Sequence, residues 1–370
     1  VRILISGAGV AGLACARQLG SRGHDVTVVE SADQLRTAGT PVDIRGHAIE
    51  TAARMGVLDS IRQHRVRMSE NAHFIDSRGE PVARVPLAEI NDTADDIEVL
   101  RGDLVQILAG DLPDTVVVRF GDRVRTLLDH ESGVDVRFAS GCTGRYDVVI
   151  GADGQHSAVR RLVFGPDAEC LAHLGVYFAL AALPGGAQTD CANVIFNVPG
   201  RMAGCFRYAE KSVAVFQFRS AVISHDHRDL AAQKRILIEA FDGHRSWRIP
   251  ELLDAARADP GFYFTAASQV RLPSWHRGRV VLVGDAGYCP SFLSGRGTSL
   301  ALSGAVFLTE ELERCGEDHA EAFAAYQDRL RSQVASAQNR VHAGRRRMLP
   351  ETWGDIAARN RALRAHESTP

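Results

Sequence analysis

The sequence predicts an α/β chain in which a dinucleotide-binding domain is split by an inserted, mostly antiparallel sheet and completed by C-terminal helices. Three observations carry this. The chain opens on an apolar strand, Val1–Ser6, that runs into Gly7-Ala8-Gly9-Val10-Ala11-Gly12. Near the other end a second apolar strand, Val280–Val283, runs into Gly284-Asp285-Ala286. Between them, from about residue 170 to 272, the chain is strand-rich and carries most of its aromatics.

Residues 1–30 read as strand, tight turn, helix and strand. Leu13–Gly20 has helical spacing, and Asp25–Glu30 is β-branched. This is a βαβ unit of about thirty residues, the context a glycine fingerprint requires. Pro41–Ile44 reads as a short extended piece, and Ala48–Met55, stopped by Gly56, as a helix. His73–Asp76 and Pro81–Val85 around Ser77-Arg78-Gly79 predict a hairpin. Helical spacing returns at Leu100–Leu108. Val116–Phe120 and Val134–Phe138 follow as strands around a loop, and Tyr146–Ile150 as an apolar strand entering Gly151-Ala152-Asp153-Gly154.

In the inserted sheet, Phe206-Arg207-Tyr208 and Phe216-Gln217-Phe218 alternate with period two, which puts both aromatics of each pair on one face. Lys234–Phe241 and Glu251–Arg257 read as helices. The chain is then helical to its end, with a break at Pro350. The predicted domains are 1–70, 97–169 and 273–345 for the nucleotide, 71–96 and 170–272 for the substrate, and 346–370 as a C-terminal helical segment.

Bulk properties exclude several classes. A net charge of −2 over 370 residues favours neither nucleic acid nor an acidic membrane as partner. The apolar runs are strand-sized, short of the roughly 20 residues a membrane span needs. With no targeting pattern at its start, the chain reads as cytoplasmic. The seven cysteines show no CxxC spacing, so most are expected as buried thiols, with neither zinc nor a disulfide framework. His225-Asp226-His227 has metal-ligand residue types but no third cluster, and no metal is expected.

The chemistry lies in the glycine-acid motifs. Gly7 permits the turn, Gly9 lets backbone approach a pyrophosphate, and Gly12 allows close helix–strand packing. Val10 and Ala11 open the helix whose amides and dipole face that anion. Glu30, closing the second strand about twenty residues on, is placed to accept adenosine ribose hydroxyls. Asp153-Gly154 either touches ligand or caps the helix that follows. Asp285 can accept a hydroxyl of a ribityl chain. The loop Gly295-Arg296-Gly297-Thr298-Ser299 opens a long helix whose positive end suits the negative charge of a reduced flavin. Together the two ends predict FAD gripped along its length in a Rossmann-like domain.

In order and spacing, these motifs resemble the single-component FAD-dependent aromatic hydroxylases, the group A flavoprotein monooxygenases of para-hydroxybenzoate hydroxylase type. The match runs over essentially residues 1–345, and the antibiotic-tailoring and tetracycline-inactivating members resemble the chain most. The resemblance implies that Gly7, Gly9, Val10, Ala11, Gly12 and Glu30 hold the ADP half of FAD. It places Arg101 at the diphosphate and ribityl region, Arg45 near the flavin, and Asp285 at the ribityl chain. Gly295, Gly297 and Thr298 would meet the pyrimidine ring. Asp153 and Gly154 belong to a motif linked to both FAD and NAD(P)H, and Arg36 is a further choice at the adenosine end.

The implied activity is insertion of one oxygen atom from dioxygen into a hydrophobic aromatic or polyketide-like molecule through a flavin hydroperoxide. NAD(P)H serves as a transient donor, and no protein side chain is expected to carry the chemistry itself. Phe196, Phe206, Tyr208, Phe216 and Phe218 are the expected substrate wall, with ordinary sheet core as the competing reading for each. The family commonly has histidine where Tyr288 stands and proline where Phe292 stands. The alternatives are a reductase or halogenase fed by another component, suggested by Ser246-Trp247-Arg248-Ile249-Pro250, or a non-catalytic flavin-containing binding protein.

Overall fold

A computed structural model describes residues 1–37, 39–67, 72–85, 91–185, 193–208, 211–226 and 229–367. The chain forms two compact units. Val1–Arg65, Asp92–Ala172 and Ser268–Arg340 make the first; Val66–Asn91, His173–Ala267 and Val341–Pro370 make the second.

The first unit is built on a six-stranded sheet in the order His276–Arg277, Val280–Leu282, Val148–Gly151, Arg2–Ser6, Asp25–Val29, Val116–Arg119. All neighbours are parallel except the first pair. The three strands that lead into glycine motifs, Arg2–Ser6, Val148–Gly151 and Val280–Leu282, are therefore adjacent, and their carboxyl ends share one edge of the sheet. In open α/β sheets that edge is where ligands bind. These strands are buried on both faces, which explains why they read as continuous apolar runs without alternation. The helices Val10–Gly20 and Gly297–Cys315, each following a motif, pack against one another.

A second sheet of Val124–His130, Gly133–Phe138 and Thr143–Tyr146 interrupts this unit. The expected loop between residues 120 and 134 is thus largely a strand. Val124–His130 is exposed along most of its length, so it lacks the apolar signal that marks a buried strand. Tyr146 ends this sheet and does not start the next strand, which is Val148–Gly151.

The second unit holds a seven-stranded sheet ordered Tyr263–Val270, Leu171–Ala182, Lys211–Arg219, Arg201–Tyr208, Val194–Val198, His73–Ile75, Pro81–Arg84. The last two strands are the predicted hairpin, paired antiparallel. Registers such as Ala203↔Phe216 and Phe206↔Val213 assign side chains to faces. Ala214, Phe216 and Phe218 share one core cluster with Phe196, Tyr177 and the helices Leu230–Ala240 and Ile249–Ala258. Phe206 and Tyr208 lie on the opposite face. Of the C-terminal residues, Trp353–Glu367 form a helix in this unit. Arg359 stacks 3.7 Å over Phe74, and its Nη1 donates to Asn197 Oδ1 at 2.7 Å.

Among the described residues, five cysteines are free, Cys15, Cys142, Cys170, Cys289 and Cys315. Cys205 is disulfide-bonded, which the sequence did not lead us to expect. His227 lies outside the described residues.

Candidate functional site

Backbone proximity joins the glycine motifs in the first unit. Gly7 has φ +105°, and a Cβ on it would lie 2.6 Å from Ala152 O and 2.9 Å from Asp153 Cα. Gly12 passes so close to Gly7 that a Cβ would sit 1.9 Å from its carbonyl oxygen. Gly284, at φ +66°, would press a Cβ to 2.8 Å from that of Ala11. Each motif thus needs a residue without a side chain because another motif lies against it. Arg160, fully buried, adds a polar tie. Its Nη2 donates to Asp167 Oδ1 and Gln155 O, both at 2.6 Å, and its Nη1 to Ala286 O at 3.0 Å.

Gly9 behaves differently. Its conformation is extended (φ −82°, ψ −171°), and a Cβ there would meet only Arg101 Nη2, at 4.0 Å. The space above Gly9 is therefore open, with a guanidinium at its edge. Arg101 also bears on Asp285. Burial raises the Asp285 carboxyl, while the Cys289 thiol and the Arg101 charge pull it partly back. A Cβ on Gly297 would have Asp285 Oδ1 as nearest neighbour, at 3.6 Å. The structure thus brings Gly9, Arg101, Asp285 and Gly297 into one neighbourhood.

Two helix ends face this neighbourhood without side-chain caps. Val10–Gly20 starts from Gly9 and Gly297–Cys315 from Arg296; neither end has a capping side chain or an acidic residue in its first turn. Val10, Ala11 and Thr298 stand in those first turns. Their amides and the positive dipole ends are left for an external anion. An extended cofactor with a pyrophosphate near one end and a ring that gains negative charge at the other fits this donor set. The open cradle over Gly9 fits its diphosphate.

Glu30 ends the second strand. Its Oε2 accepts from the amide of Ala8 at 2.9 Å, and its Oε1 from that of Ala32 at 2.9 Å. Burial acts to raise this carboxyl, but the amides of Ala32 and Ala8, the Ser31 hydroxyl and Arg36 outweigh it and hold it low. Arg36 is mostly exposed and lies 3.7 Å from Glu30. Asp153 turns toward its own helix. Its carboxylate accepts from the Ala158 amide at 2.7 Å, the Val159 amide at 3.2 Å and the Ser157 hydroxyl. Gly154, at φ +81°, has nothing near the place of a Cβ.

Arg45 is buried and pairs with Asp43 at 2.7 Å; its amide donates to Ser299 Oγ at 2.9 Å. Gly295, at φ +62°, sits beside both charges. Sequence reasoning missed the next layer. Asp92 Oδ1 accepts from Arg296 Nη2 at 2.6 Å and Arg340 Nη1 at 2.7 Å, while Asp96 Oδ1 accepts from the Gly46 amide at 3.0 Å. Residues far apart in the chain thereby brace the loop before Gly297; only Asp43, in the strand Pro41–Ile44, and Arg45, just beyond its end, are near in sequence. A cavity of about 800 Å³ opens beside this network. No fingerprint residue lines it, so it is not the place of the adenosine half.

Tyr288 is fully buried, 4.6 Å from the Trp275 ring. Tyr326 Oη lies 3.0 Å from Tyr288 Oη and 3.1 Å from Leu282 O. We expect Tyr326→Phe to destabilise the protein by about 1–3 kcal/mol, because it leaves the Tyr288 hydroxyl buried and unmatched. Adding Tyr288→Phe should recover part of that loss. Denaturant midpoints of the single and double variants check the pair.

Of the expected substrate wall, Phe196, Phe216 and Phe218 prove to be core. Phe196 packs on Trp247 at 5.8 Å, and Phe216 on Phe241 at 5.4 Å. Trp247 is thereby explained as core. Phe206 and Tyr208 lie on the face opposite the helices Leu230–Ala240 and Ile249–Ala258.

The family described as FAD binding domain matches residues 1–340. The chain is 40% identical to the Mycobacterium tuberculosis protein Rv1260, over 88% of both chains. It is 36% identical to a flavin-dependent monooxygenase of Legionella longbeachae, over 91% of this chain and 87% of that protein. The crystal structure of tetracycline destructase Tet(55) superposes with a TM-score of 0.83 at 34% identity, covering 98% of this chain and 94% of that one. Several relatives are named flavin-dependent or FAD-dependent monooxygenases, which favours neither a reductase, a halogenase nor a non-catalytic binder. The chain belongs to the FAD-binding-domain family and is an FAD-dependent monooxygenase acting on a small molecule.

Proposed function

We propose that the enzyme oxygenates a hydrophobic, polycyclic aromatic or polyketide-like molecule in the cytoplasm, with NAD(P)H as electron donor. The observation that carries the reading is the pair of uncapped helix ends on one sheet edge, with Arg101 and Asp285 close by. The substrate class is supported by likeness to two tetracycline destructases at 32% and 34% identity. No described helix is long and apolar enough to cross a membrane.

FAD, when bound, takes two electrons from NAD(P)H and activates dioxygen. The protein's own residues bind and orient it. Gly9 leaves room for the diphosphate, Gly7 and Gly12 let strand, turn and helix close up beneath it, and the amides of Val10 and Ala11 hold it. Arg101 neutralises it from the open side of Gly9. Glu30 accepts ribose hydroxyls once they replace the Ala8 amide, with Arg36 at that end. Asp285 accepts a ribityl hydroxyl, while the amides of Gly297 and Thr298, with Gly295 and Arg45, hold the pyrimidine edge. Asp153 and Gly154 act through the backbone, since the Asp153 carboxylate is engaged by its helix. The first unit is the FAD-binding domain. Within the second unit, the sheet face bearing Phe206 and Tyr208 is the substrate wall.

The test is turnover of FAD-loaded protein with NADH or NADPH under labelled dioxygen, offering tetracycline, 2-naphthol and a hydroxyanthraquinone. A supporting result is ligand-stimulated NAD(P)H consumption with product gaining one labelled oxygen atom. Consumption that no ligand accelerates, with no labelled product, counts against this substrate class.

A further inference from the structure

The helix Arg101–Ala109 is anchored in the first unit by Leu104, Val105 and Leu108, all buried. Gly102 lies buried in its first turn and has no left-handed φ to account for a glycine. Alanine would suit the helix better. A neighbouring backbone forbids it: a Cβ on Gly102 would lie 1.9 Å from the carbonyl oxygen of Thr37 and 2.8 Å from its carbonyl carbon. Arg36 and Thr37 are exposed, so their backbone, and not the anchored helix, is what a side chain there would displace. The same neighbourhood grips Arg101. The Arg36 carbonyl accepts from Arg101 Nη1 at 3.3 Å, and the Thr40 carbonyl from the Arg101 amide at 3.2 Å. A Cβ on Gly39 would lie 3.3 Å from both Cβ and Cδ of Arg101. The other arm of the guanidinium, Nη2, is the atom beside the open space over Gly9. Arg36 is tied in turn to the end of the second strand, where its Nη2 donates to Ser31 Oγ at 3.3 Å and lies 3.7 Å from Glu30. A guanidinium is a rigid planar fork, so fixing one arm fixes the other. An arm aimed beforehand loses less rotamer freedom when a ligand arrives.

We propose that Gly102 is a positioning residue for FAD binding. By lacking a side chain it lets the Thr37 carbonyl close on the start of the helix, so that the Arg36 carbonyl holds one arm of Arg101 and leaves the other over Gly9. The inference rests on the reading of that open space as the diphosphate site. It adds that the guanidinium is aimed before the cofactor arrives, by exposed backbone that a single methyl group at position 102 would push away.

The test titrates FAD into the stripped parent, Gly102→Ala, Arg101→Ala and the double variant, followed by flavin fluorescence quenching. Gly102→Ala should raise the Kd about tenfold or more, as loss of a well-aimed charge-assisted hydrogen bond does. Its apoprotein should melt within about two degrees of the parent, because the helix gains what the exposed backbone loses. In the Arg101→Ala background the same substitution should change the Kd by less than about twofold, since the arm it aims is gone. A glycine that matters only for packing would weaken FAD equally in both backgrounds, and that result overturns the proposal. So does a Gly102→Ala protein that binds FAD like the parent. If Arg101→Ala itself binds FAD like the parent, the diphosphate reading at Gly9 falls instead. Should Gly102→Ala not fold, the comparison moves to trypsin cleavage of the Arg36–Thr37 bond, read by mass spectrometry. Saturating FAD should slow that cleavage about tenfold in the parent, by the reciprocity of linkage, and far less in Arg101→Ala. Equal protection in the two proteins overturns the proposal.

Discussion

Gly9→Val should fold like the parent and emerge colourless. Nothing in the protein occupies the place of a side chain at this position, for the nearest atom to a Cβ is Arg101 Nη2 at 4.0 Å. The backbone is extended there, so a branched residue fits without strain. Losing glycine at a helix N-cap costs less than about 1 kcal/mol. The added methyl groups would instead fill the approach of the diphosphate to the first helix. Gly12→Ala should fail in the other way. Its Cβ would collide with the Gly7 carbonyl oxygen at 1.9 Å, and the apoprotein itself should lose about 3 kcal/mol or more. Circular dichroism, thermal melting and flavin absorbance of the two variants separate a binding glycine from a folding one. A Gly9→Val protein that purifies fully yellow would remove the diphosphate from this site.

The two glycines also show what the sequence could and could not tell. The fingerprint, the strand before it and Glu30 were readable because their spacing is local and fixed by one βαβ unit. The parallel strands were readable as unbroken apolar runs. Val124–His130 was not, because an exposed strand leaves no hydrophobic period. The period-two pattern placed Phe206 with Tyr208 and Phe216 with Phe218, and both pairings hold. It gave no information on which pair faces the helices, because that depends on the register between neighbouring strands. Asp92, Arg296 and Arg340 come from three distant segments, so their meeting depends on the completed fold. Asp153 was open between ligand contact and cap; its bonds to the amides of Ala158 and Val159 show the cap.

Asp285 combines both kinds of signal, and its substitution should separate binding from stability. Burial raises its carboxyl above the ordinary range, and the Cys289 thiol and Arg101 only partly offset this. In the apoprotein the native state therefore holds this proton more tightly than the unfolded chain. Stability is then greatest below the unfolded carboxyl pKa and falls as pH rises through the native one. Asp285→Asn should abolish that portion of the decline and leave the apoprotein more stable at neutral pH. FAD should reverse the ranking, because ribityl hydroxyls would supply the donors that the buried carboxylate lacks. Asp285→Ala should accordingly weaken FAD by about 1.5–3 kcal/mol, roughly a tenfold to hundredfold rise in Kd. Urea melts of the FAD-stripped proteins between about pH 4 and 8, with FAD titrations followed by fluorescence quenching, measure both effects. Unchanged FAD affinity in Asp285→Ala would take the ribityl contact away from this residue. An identical pH slope in parent and Asp285→Asn would show that the carboxylate is not disfavoured by its burial. The expected pattern, a weaker holoenzyme from a sturdier apoprotein, arises only where a charge is buried for a ligand's sake.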